Sequence, residues 1–454
     1  MGIVILIVLL AVEVFFFVWS NKSKSNHTQE KSIVRIAEFV LLGTLLLTGI
    51  FQLSSFRWYI LLAVLVIQSA IGVFILIKKN ENPYKFGMNI LRVIGSGFLY
   101  TFALIPAILF PQYSPPVPTG SCGIETAKYT WVDKSRIETY TNTGENRSVT
   151  ADFWYPANAD VKYPLVIFSH GIYGVDTSNV STYEELASNG YVVCAISYTY
   201  LSMVTKEANG RIIPVDIGFL KYAQNDFYGA DSPERNYDAF NEMQKIRVAD
   251  TNFVIDTIID NAGNSTDDVF HMVDVCKIGL IGHSLGSGTV TMIARERGDI
   301  GAVVNLDGPL FGEVLGYQNG KALLREDTCP VPLLNVYSDD LWYIVEQDDI
   351  LNSISSGERD YVYSANAHYL TDTPEYIYNI HFSGAKHLSL TDLSLASPIL
   401  ANALQGGKAK IDEYYCLETM NHSILEFFDY NLKGGEAPHY EREYNYASEY
   451  PANT

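Results

Sequence analysis

The chain is poor in cysteine and, over most of its length, in basic residues. It has five cysteines among 454 residues, and 31 lysines or arginines against 51 acidic residues. No cysteine pair has the spacing of a zinc site and no H-E-x-x-H motif occurs, so we expect no metal site. Beyond residue 110 only 22 basic residues remain against 47 acidic ones. This acidic body argues against nucleic acid as a partner.

Long apolar runs fill the first 110 residues. They form four blocks, at residues 2–19, 33–53, 58–77 and 93–110. Each is near the ~20 residues that a helix needs to cross the hydrocarbon core of a membrane. The blocks therefore predict a four-span transmembrane region over residues 1–110. A cleaved signal peptide is the alternative for the first block, but that block lacks a basic n-region and an A-x-A-like cleavage site.

Basic residues cluster after the first and the third block, within 22–35 and 78–92. By the positive-inside rule these two loops are cytoplasmic, which places everything after residue 110 on the extracytoplasmic side. Glu13 is costly in lipid, so we expect it to face another helix or to lie near a helix end. No block carries a chain of ionisable residues, so we expect the spans to act as a membrane anchor.

Beyond residue 110 the sequence falls into three successive segments that predict different structures. Residues 111–123 are rich in proline and predict a stiff linker. Residues 129–133, 136–140 and 148–156 read as short strands of an antiparallel meander. From residue 163 onward, solid apolar runs alternate with helical patterns, among them a helix over 240–260, which predicts a mainly parallel sheet covered on both faces. We therefore expect one α/β domain over 124–454, with residues 201–239, which have no clear period, as a lid or wall over its cleft.

The sequence GHSLG at 282–286 follows one of these apolar runs and precedes a predicted helix. A serine needs an exposed hydroxyl and a neighbouring base to become a nucleophile. A Gly-x-Ser-x-Gly turn between a strand and a helix exposes the hydroxyl, and only glycine fits at its two outer positions. The pattern predicts Ser284 as a nucleophile. The alternative is a glycine-rich turn with a helix-capping serine.

An acyl-transfer intermediate carries a negative oxygen, which needs preorganised N–H donors. The amide of Leu285, directly after the serine, is one expected donor. The other is expected from the loop after the strand that ends in FSHG, where Ile172 follows Gly171. We expect His170 in this loop to brace it by a hydrogen bond.

The base and its carboxylate partner must come from other strand ends. Among nine histidines, only His387 follows a predicted strand and precedes a helix-like run, whereas His381 and the others lack such a position. Asp307 ends one strand, and Asp339 and Asp340 end the next. Either position suits a carboxylate that orients an imidazole, and periodicity alone leaves the choice open.

Together, these motifs resemble one known family. FSHG at 168–171, GHSLG, LDG at 306–308, GAKHLSLTD at 384–392 and ADFWYPA at 151–157 are similar to those of the platelet-activating factor acetylhydrolases, a family of serine α/β-hydrolases. The resemblance covers roughly residues 124–432 and does not extend to the membrane blocks. It implies an α/β-hydrolase fold after four transmembrane helices and a reaction without metal or organic cofactor.

The resemblance also assigns roles. It implies Ser284 as nucleophile, Asp307 as acid and His387 as base, with the amides of Ile172 and Leu285 as the oxyanion hole. The related dienelactone-hydrolase and polyester-hydrolase groups place the acid one strand later, which would select Asp339 or Asp340.

The predicted function is a membrane-anchored serine hydrolase that cleaves carboxylic esters through an acyl-enzyme. The resemblance implies short-chain or phospholipid-type esters as substrates, and the expected partners are a small ester or lipid and the membrane. The alternatives are a dienelactone-type or polyester-type esterase and a non-catalytic surface module that keeps the hydrolase fold for binding.

Overall fold

A computed structural model describes residues 1–52, 55–79, 83–157, 161–264, 267–318, 321–346, 362–371 and 373–445. The chain forms two compact units. The first comprises Met1–Ser114 together with Leu395–Ala403, and the second comprises Pro115–Ser394 together with Leu404–Thr454. The division at residue 114 falls inside the proline-rich segment.

The first unit contains four long helices: α1 (Gly2–Ser23), α2 (Thr28–Leu47), α3 (Tyr59–Lys78) and α4 (Phe86–Leu109). Each predicted block therefore contains a helix. Among the described residues three helical segments are long and apolar enough to cross a membrane, namely Gly2–Ser23, Phe56–Lys78 and Phe86–Leu109. Helix α2 begins before the predicted block and so includes Glu30 and Lys31, in addition to Arg35 and Glu38, which lie within the block. That α2 spans a membrane stays a prediction, and the end of its block, at 53, lies outside the described residues.

Glu13 is fully buried in α1 and faces α2, as expected for a carboxylate in an apolar helix. The Nζ atom of Lys31 lies 2.7 Å from its Oε2, and Arg35 also pairs with it. The neighbouring helix therefore supplies the counter-charges of Glu13.

The second unit is built on a nine-stranded sheet in the order β1-β2-β4-β3-β7-β8-β11-β12-β13. Every pair from β4 to β13 is parallel, and β1 and β2 form an antiparallel edge. Its strands are β1 (Ile124–Ile137), β2 (Asn146–Pro156), β3 (Tyr163–Ser169), β4 (Val192–Ser197), β7 (Val273–His283), β8 (Ile300–Leu306), β11 (Leu333–Tyr337), β12 (Ile377–Phe382) and β13 (Glu443–Tyr444). Two small ribbons add β5 (Val204–Lys206) with β6 (Ile212–Pro214) and β9 (Val314–Gln318) with β10 (Lys321–Leu324).

The central strands are buried along almost their whole length, because helices cover both faces of the sheet. This confirms the mainly parallel α/β sheet expected from solid apolar runs. The remaining helices are α5 (Val180–Ser188), α6 (Ile217–Tyr222), α7 (Pro233–Asn264), α8 (Asp268–His271), α9 (Leu285–Glu296), α10 (Asp339–Val345), α11 (Ser364–Thr371), α12 (Leu393–Ala396), α13 (Pro398–Leu404) and α14 (Glu413–Phe428).

Two local predictions were wrong. A separate strand was expected over 136–140, but β1 continues to Ile137 through a register irregularity after Asp133. The helix expected over 240–260 is present as α7, but its predicted start was wrong, because α7 begins at Pro233, inside the segment expected to form a lid or wall. The hydroxyl of Ser232 accepts a hydrogen bond from the amide of Arg235 at 3.2 Å, so serine and proline form a normal helix start.

The second half of the proline-rich segment packs on α5. The amide of Thr119 donates to Oε2 of Glu185 at 2.8 Å, and the amide of Cys122 donates to the carbonyl of Ser188 at 3.0 Å. A Cβ atom on Gly120 would overlap the Ser188 carbonyl, so the backbone lies directly against the helix end. Residues 119–122 therefore pack against α5, and the linker role of residues 111–123 stays a prediction.

Candidate active site

The sharp turn from β7 into α9 carries Ser284. Its φ of 55° and ψ of −121° are unusual for a residue with a side chain and are maintained by close packing on both sides. A Cβ atom on Gly282 would overlap the carbonyl of Gly286, and one on Gly286 would overlap the carbonyl of Ser169. Both outer glycines are thus sterically required, and Ser284 lies on the edge of the turn.

Asp307 and His387 meet beyond the carboxyl ends of β8 and β12. The Nδ1 atom of His387 lies 2.7 Å from Oδ2 of Asp307, whose side chain is almost completely buried. The amide and hydroxyl of Ser338 each donate to the same carboxylate at 2.8 Å. Burial alone would raise the pKa of Asp307, but the hydrogen bonds and charge from His387 and the bonds from Ser338 outweigh it, so the pKa is lowered. Asp307 is therefore ionised when it holds the imidazole.

The other two candidate acids have different partners. Oδ1 of Asp339 lies 2.9 Å from Nε2 of His381 and accepts from the amide of Gly384 at 2.9 Å. Asp340 accepts from the backbone amide of His387 at 3.1 Å and from Lys386. The expectation that His381 lacks a strand-end position was wrong, since it lies within β12 next to its last residue. Geometry thus places Asp307 alone of the three aspartates against the His387 ring.

One cavity brings together all five residues singled out from the sequence. It has a volume of about 270 Å³, and its walls include Ser284, Asp307, His387, Ile172 and Leu285. These residues follow four different strands of the parallel sheet, β3, β7, β8 and β12. Their convergence follows from the topology, because the carboxyl ends of parallel strands lie at one edge of the sheet.

The two amides expected to stabilise an oxyanion belong to segments in close contact. Leu285 is the first residue of α9, so its N–H has no acceptor within the helix. Ile172 lies in the loop after β3, and this loop approaches the serine turn at Gly171. A Cβ atom there would lie 3.0 Å from Cβ of Ser284.

Helix α7 holds both of these segments through side chains that the sequence analysis did not single out. Arg247, which is fully buried, donates to the carbonyl of His170, directly before Gly171. Gln244, one turn earlier, donates from Nε2 to the carbonyl of Leu285 at 2.8 Å. The hydroxyl of Thr289 joins the two, because it accepts from Nε of Arg247 at 3.2 Å and donates to Oε1 of Gln244 at 2.6 Å. The sequence did contain a signal for these two residues: Gln244 and Arg247 are polar side chains, three residues apart, within the apolar stripe of a predicted helix.

Two further histidines, His170 and His283, lie beside Gly171 and Ser284, and both imidazoles are neutral. The ring of His170 bridges the Gly171 carbonyl and the Ser202 hydroxyl, at 2.7 Å each, as a bracing residue would. Burial lowers the pKa of His170 to about 3, with the Arg247 charge acting in the same direction.

His283 precedes the serine and contacts the histidine of the site. Burial, helped by the neighbouring His387, lowers the pKa of His283 to about 3. Its Nε2 atom lies 3.2 Å from the His387 carbonyl, which only accepts, so the Nε2 atom must carry the proton. His283 therefore holds the backbone of His387 by a hydrogen bond.

The segment expected to form a lid or wall contributes to the cavity. Phe227, Tyr228 and Asn236 line it, together with aromatic residues outside the segment such as Phe240 and Phe311. Nδ2 of Asn236 donates to the carbonyl of Phe227 at 2.7 Å, which ties this wall to the start of α7.

Comparison with known families gives one match, which covers most of the second unit. The sequence model of the family described as platelet-activating factor acetylhydrolase, isoform II, matches residues 125–212 and 233–437, more than half of the chain. The unmatched residues 213–232 lie inside the segment that forms the cavity wall.

Among solved structures, the fold is similar to that of a ferulic acid esterase from Streptomyces cinnamoneus. The TM-score is 0.52 at 19% sequence identity, over 71% of this chain and 94% of the esterase. This similarity supports the fold, but at this sequence identity it says nothing about the substrate of the present chain.

Proposed function

The chain belongs to the platelet-activating factor acetylhydrolase, isoform II, family, and from this premise we propose that it is a membrane-anchored serine hydrolase that cleaves carboxylic esters through an acyl-enzyme. In this proposal Ser284 is the nucleophile, His387 the general base and Asp307 the acid that orients it. The observation that carries the proposal is the bond between His387 and Asp307 at the rim of a cavity that Ser284 also lines.

The first half of the reaction transfers the acyl group to the enzyme. With Nδ1–H of His387 bound to Asp307, Nε2 is left as the proton acceptor, and it takes the proton of Ser284 as Oγ attacks the ester carbonyl. The tetrahedral intermediate places its negative oxygen between the amides of Ile172 and Leu285. Collapse breaks the ester C–O bond, and the alcohol leaves with the proton from His387.

The second half restores the serine. Water enters, gives a proton to Nε2 of His387 and attacks the acyl carbonyl, and a second tetrahedral intermediate uses the same two amides. Its collapse returns the proton to Ser284 and releases the carboxylic acid. Each step uses groups of the protein itself, so the proposal requires no cofactor.

We assign short-chain or phospholipid-type esters as the substrate class. A cavity of about 270 Å³ with aromatic walls suits a small apolar acyl group. Part of that wall, including Phe227 and Tyr228, belongs to residues 213–232, which the family model does not match. Acyl-chain selection is thus assigned in part to a segment that the family model does not match.

The proposed organisation keeps the anchor at 1–110, the catalytic domain at 124–454 and the extracytoplasmic placement of that domain. It is supported by the three apolar helical segments and by the basic residues that follow the first and third blocks.

A graded ester panel tests this assignment. The full chain, purified in detergent, is given p-nitrophenyl acetate, butyrate and octanoate, and then a phospholipid with a short or a long acyl chain at one position. We expect kcat/KM to fall as the acyl chain lengthens, and Phe227→Ala to raise turnover of octanoate relative to acetate. Tyr430→Ala, at an aromatic residue outside the cavity, serves as the control. No turnover of any ester by a folded sample would favour the non-catalytic binding module.

A further inference from the structure

The helices of the first unit enclose a second cavity, with a volume of about 510 Å³. Most of its lining residues come from the C-terminal halves of α1 and α3 and the N-terminal halves of α2 and α4. Since the four helices alternate in direction along the chain, these halves form one end of the unit. It is the end at which the sequence predicts the cytoplasmic loops, after the first and third apolar blocks.

Three cations line this cavity: Lys31, Arg35 and Arg92. The carboxylate of Glu13 pairs with Lys31 at 2.7 Å and also with Arg35, and Glu38 pairs with Arg35 at 2.8 Å. The two carboxylates are therefore already engaged by Lys31 and Arg35.

Arg92 has no such partner in the described part of the chain. Its guanidinium donates to Oδ1 of Asn89 at 3.2 Å, and no ion pair with a carboxylate is present among the residues that the structure describes. Arg92 is exposed and lines the cavity, so its guanidinium is accessible to an anionic group that enters between the helices. Among the described residues, Arg92 thus adds a positive charge to the lining that no carboxylate pairs.

Other residues of the lining are apolar. Ile71, Val93 and Leu99 contribute hydrocarbon side chains from α3 and α4. A small inorganic anion would leave this surface without a partner, whereas an anionic group attached to acyl chains would contact both parts. The lining therefore matches an amphiphile that carries a phosphate group.

From this lining we infer that the cavity binds the phosphate of an anionic glycerophospholipid from the cytoplasmic leaflet, with Arg92 as its main ligand. Basic pockets between membrane helices on the cytoplasmic side are suited to anionic headgroups, because that leaflet is rich in negative lipids. The planar guanidinium suits phosphate oxygens, with which it can form two parallel hydrogen bonds. The inference is independent of ester hydrolysis and of the residues around Ser284.

The test uses the full chain in detergent, with thermal unfolding and native mass spectrometry as readouts. Dioleoyl phosphatidylglycerol is compared with dioleoyl phosphatidylcholine, which has the same chains and no net charge, and with inorganic phosphate. The variants are Arg92→Gln and Lys79→Gln. Lys79 is exposed, does not line the cavity and lies in the same predicted cytoplasmic region, so its loss removes an equal charge from the surface. Circular dichroism and elution volume establish that each variant is folded, whether or not it cleaves esters.

We expect phosphatidylglycerol to raise Tm of the native chain and of Lys79→Gln, and to remain bound to both in the mass spectrometer. Arg92→Gln is expected to bind it about tenfold more weakly, the effect of losing one charge-assisted hydrogen-bonded contact. Equal effects of the two lipids, or equal losses in the two variants, would overturn the inference. A Tm increase with inorganic phosphate as large as that with lipid would overturn the assignment to a lipid.

Discussion

Nδ1 of His387 and Oδ2 of Asp307 lie 2.7 Å apart although 80 residues separate them in the chain. The contact fixes the ring tautomer and leaves Nε2 free to accept a proton. It also distinguishes Asp307 from Asp339, which contacts the His381 ring, and from Asp340, which accepts from the backbone amide of His387 and not from its ring. The order of the parallel strands produces this meeting, since β8 and β12 both flank β11 and end at the same edge.

The first prediction concerns the acid. Asp307→Asn is expected to lower kcat for p-nitrophenyl acetate by about 10³–10⁴-fold, because the amide no longer favours the productive tautomer of His387. Asp339→Asn serves as the matched control and should stay within about tenfold of the native value, because it keeps its shape and lies against His381. If Asp339→Asn lost activity and Asp307→Asn kept it, the catalytic acid would be Asp339, after β11, and not Asp307, after β8.

The second prediction concerns the serine turn. Gly286→Ala places a methyl group against the carbonyl of Ser169 and should reduce the free energy of unfolding by about 3 kcal/mol, with loss of activity. Gly298→Ala is the control, since a Cβ atom there meets nothing within 4 Å. It should change stability by less than about 0.5 kcal/mol. Urea unfolding measures both, and equal stabilities would contradict the packing described for the turn.

The third prediction concerns the two α7 side chains that hold the oxyanion segments. Gln244→Leu and Arg247→Met are each expected to lower kcat by about 10–100-fold with little change in KM, because misplaced amides mainly weaken transition-state binding. Arg247→Lys should recover part of the loss, since it keeps a cation beside the His170 carbonyl. Thr257→Val is the control on the same helix, where the hydroxyl bonds only the Phe253 carbonyl. A loss carried by KM alone, or one equalled by Thr257→Val, would contradict a positioning role.

The fourth prediction concerns acid stability. His283 has a folded-state pKa of about 3, against an ordinary unfolded value of about 6.5. Between these two pH values the imidazole is protonated in the unfolded state and neutral in the folded state. The contribution of His283 to the free energy of unfolding has its full value above pH 6.5. It declines as the pH falls toward 3, by up to about 1.4 kcal/mol per pH unit.

We therefore expect His283→Gln to flatten the decline in the free energy of unfolding between pH 6 and pH 4. His271→Gln, which removes an exposed histidine at the end of α8, provides the comparison and should not flatten the decline. Parallel slopes for the native chain and His283→Gln would show that His283 is not buried as a neutral ring.

Most of the fold was predictable because its strands are short, apolar and separated by clear turns. The runs that became β3, β4, β8 and β11 are buried on both faces, and such strands show as solid hydrophobic stretches. The start of α7 was missed, since the Ser232–Pro233 signal lies before the apolar stripe begins. The first residues of α2, including Glu30 and Lys31, were missed for the same reason, because the hydropathy block starts only after them.

The site was predictable only in part. Ser284 and the two flanking glycines have a local signature, and strand ends identified Asp307 and His387 as candidates. The choice among three aspartates depended on long-range geometry, which periodicity does not contain. The same holds for Gln244, Arg247 and His283, whose contacts join segments far apart in the chain.

The most direct test of the account is covalent labelling of the full chain by a fluorophosphonate, with the modified peptide located by mass spectrometry. We predict one label per chain, on Ser284, together with loss of labelling and an about 10⁴–10⁶-fold lower kcat in Ser284→Ala. Ser287→Ala, which removes a nearby buried hydroxyl, should still be labelled. A label on another residue, or ester turnover by Ser284→Ala within tenfold of the native chain, would contradict the central claim that Ser284 is the nucleophile.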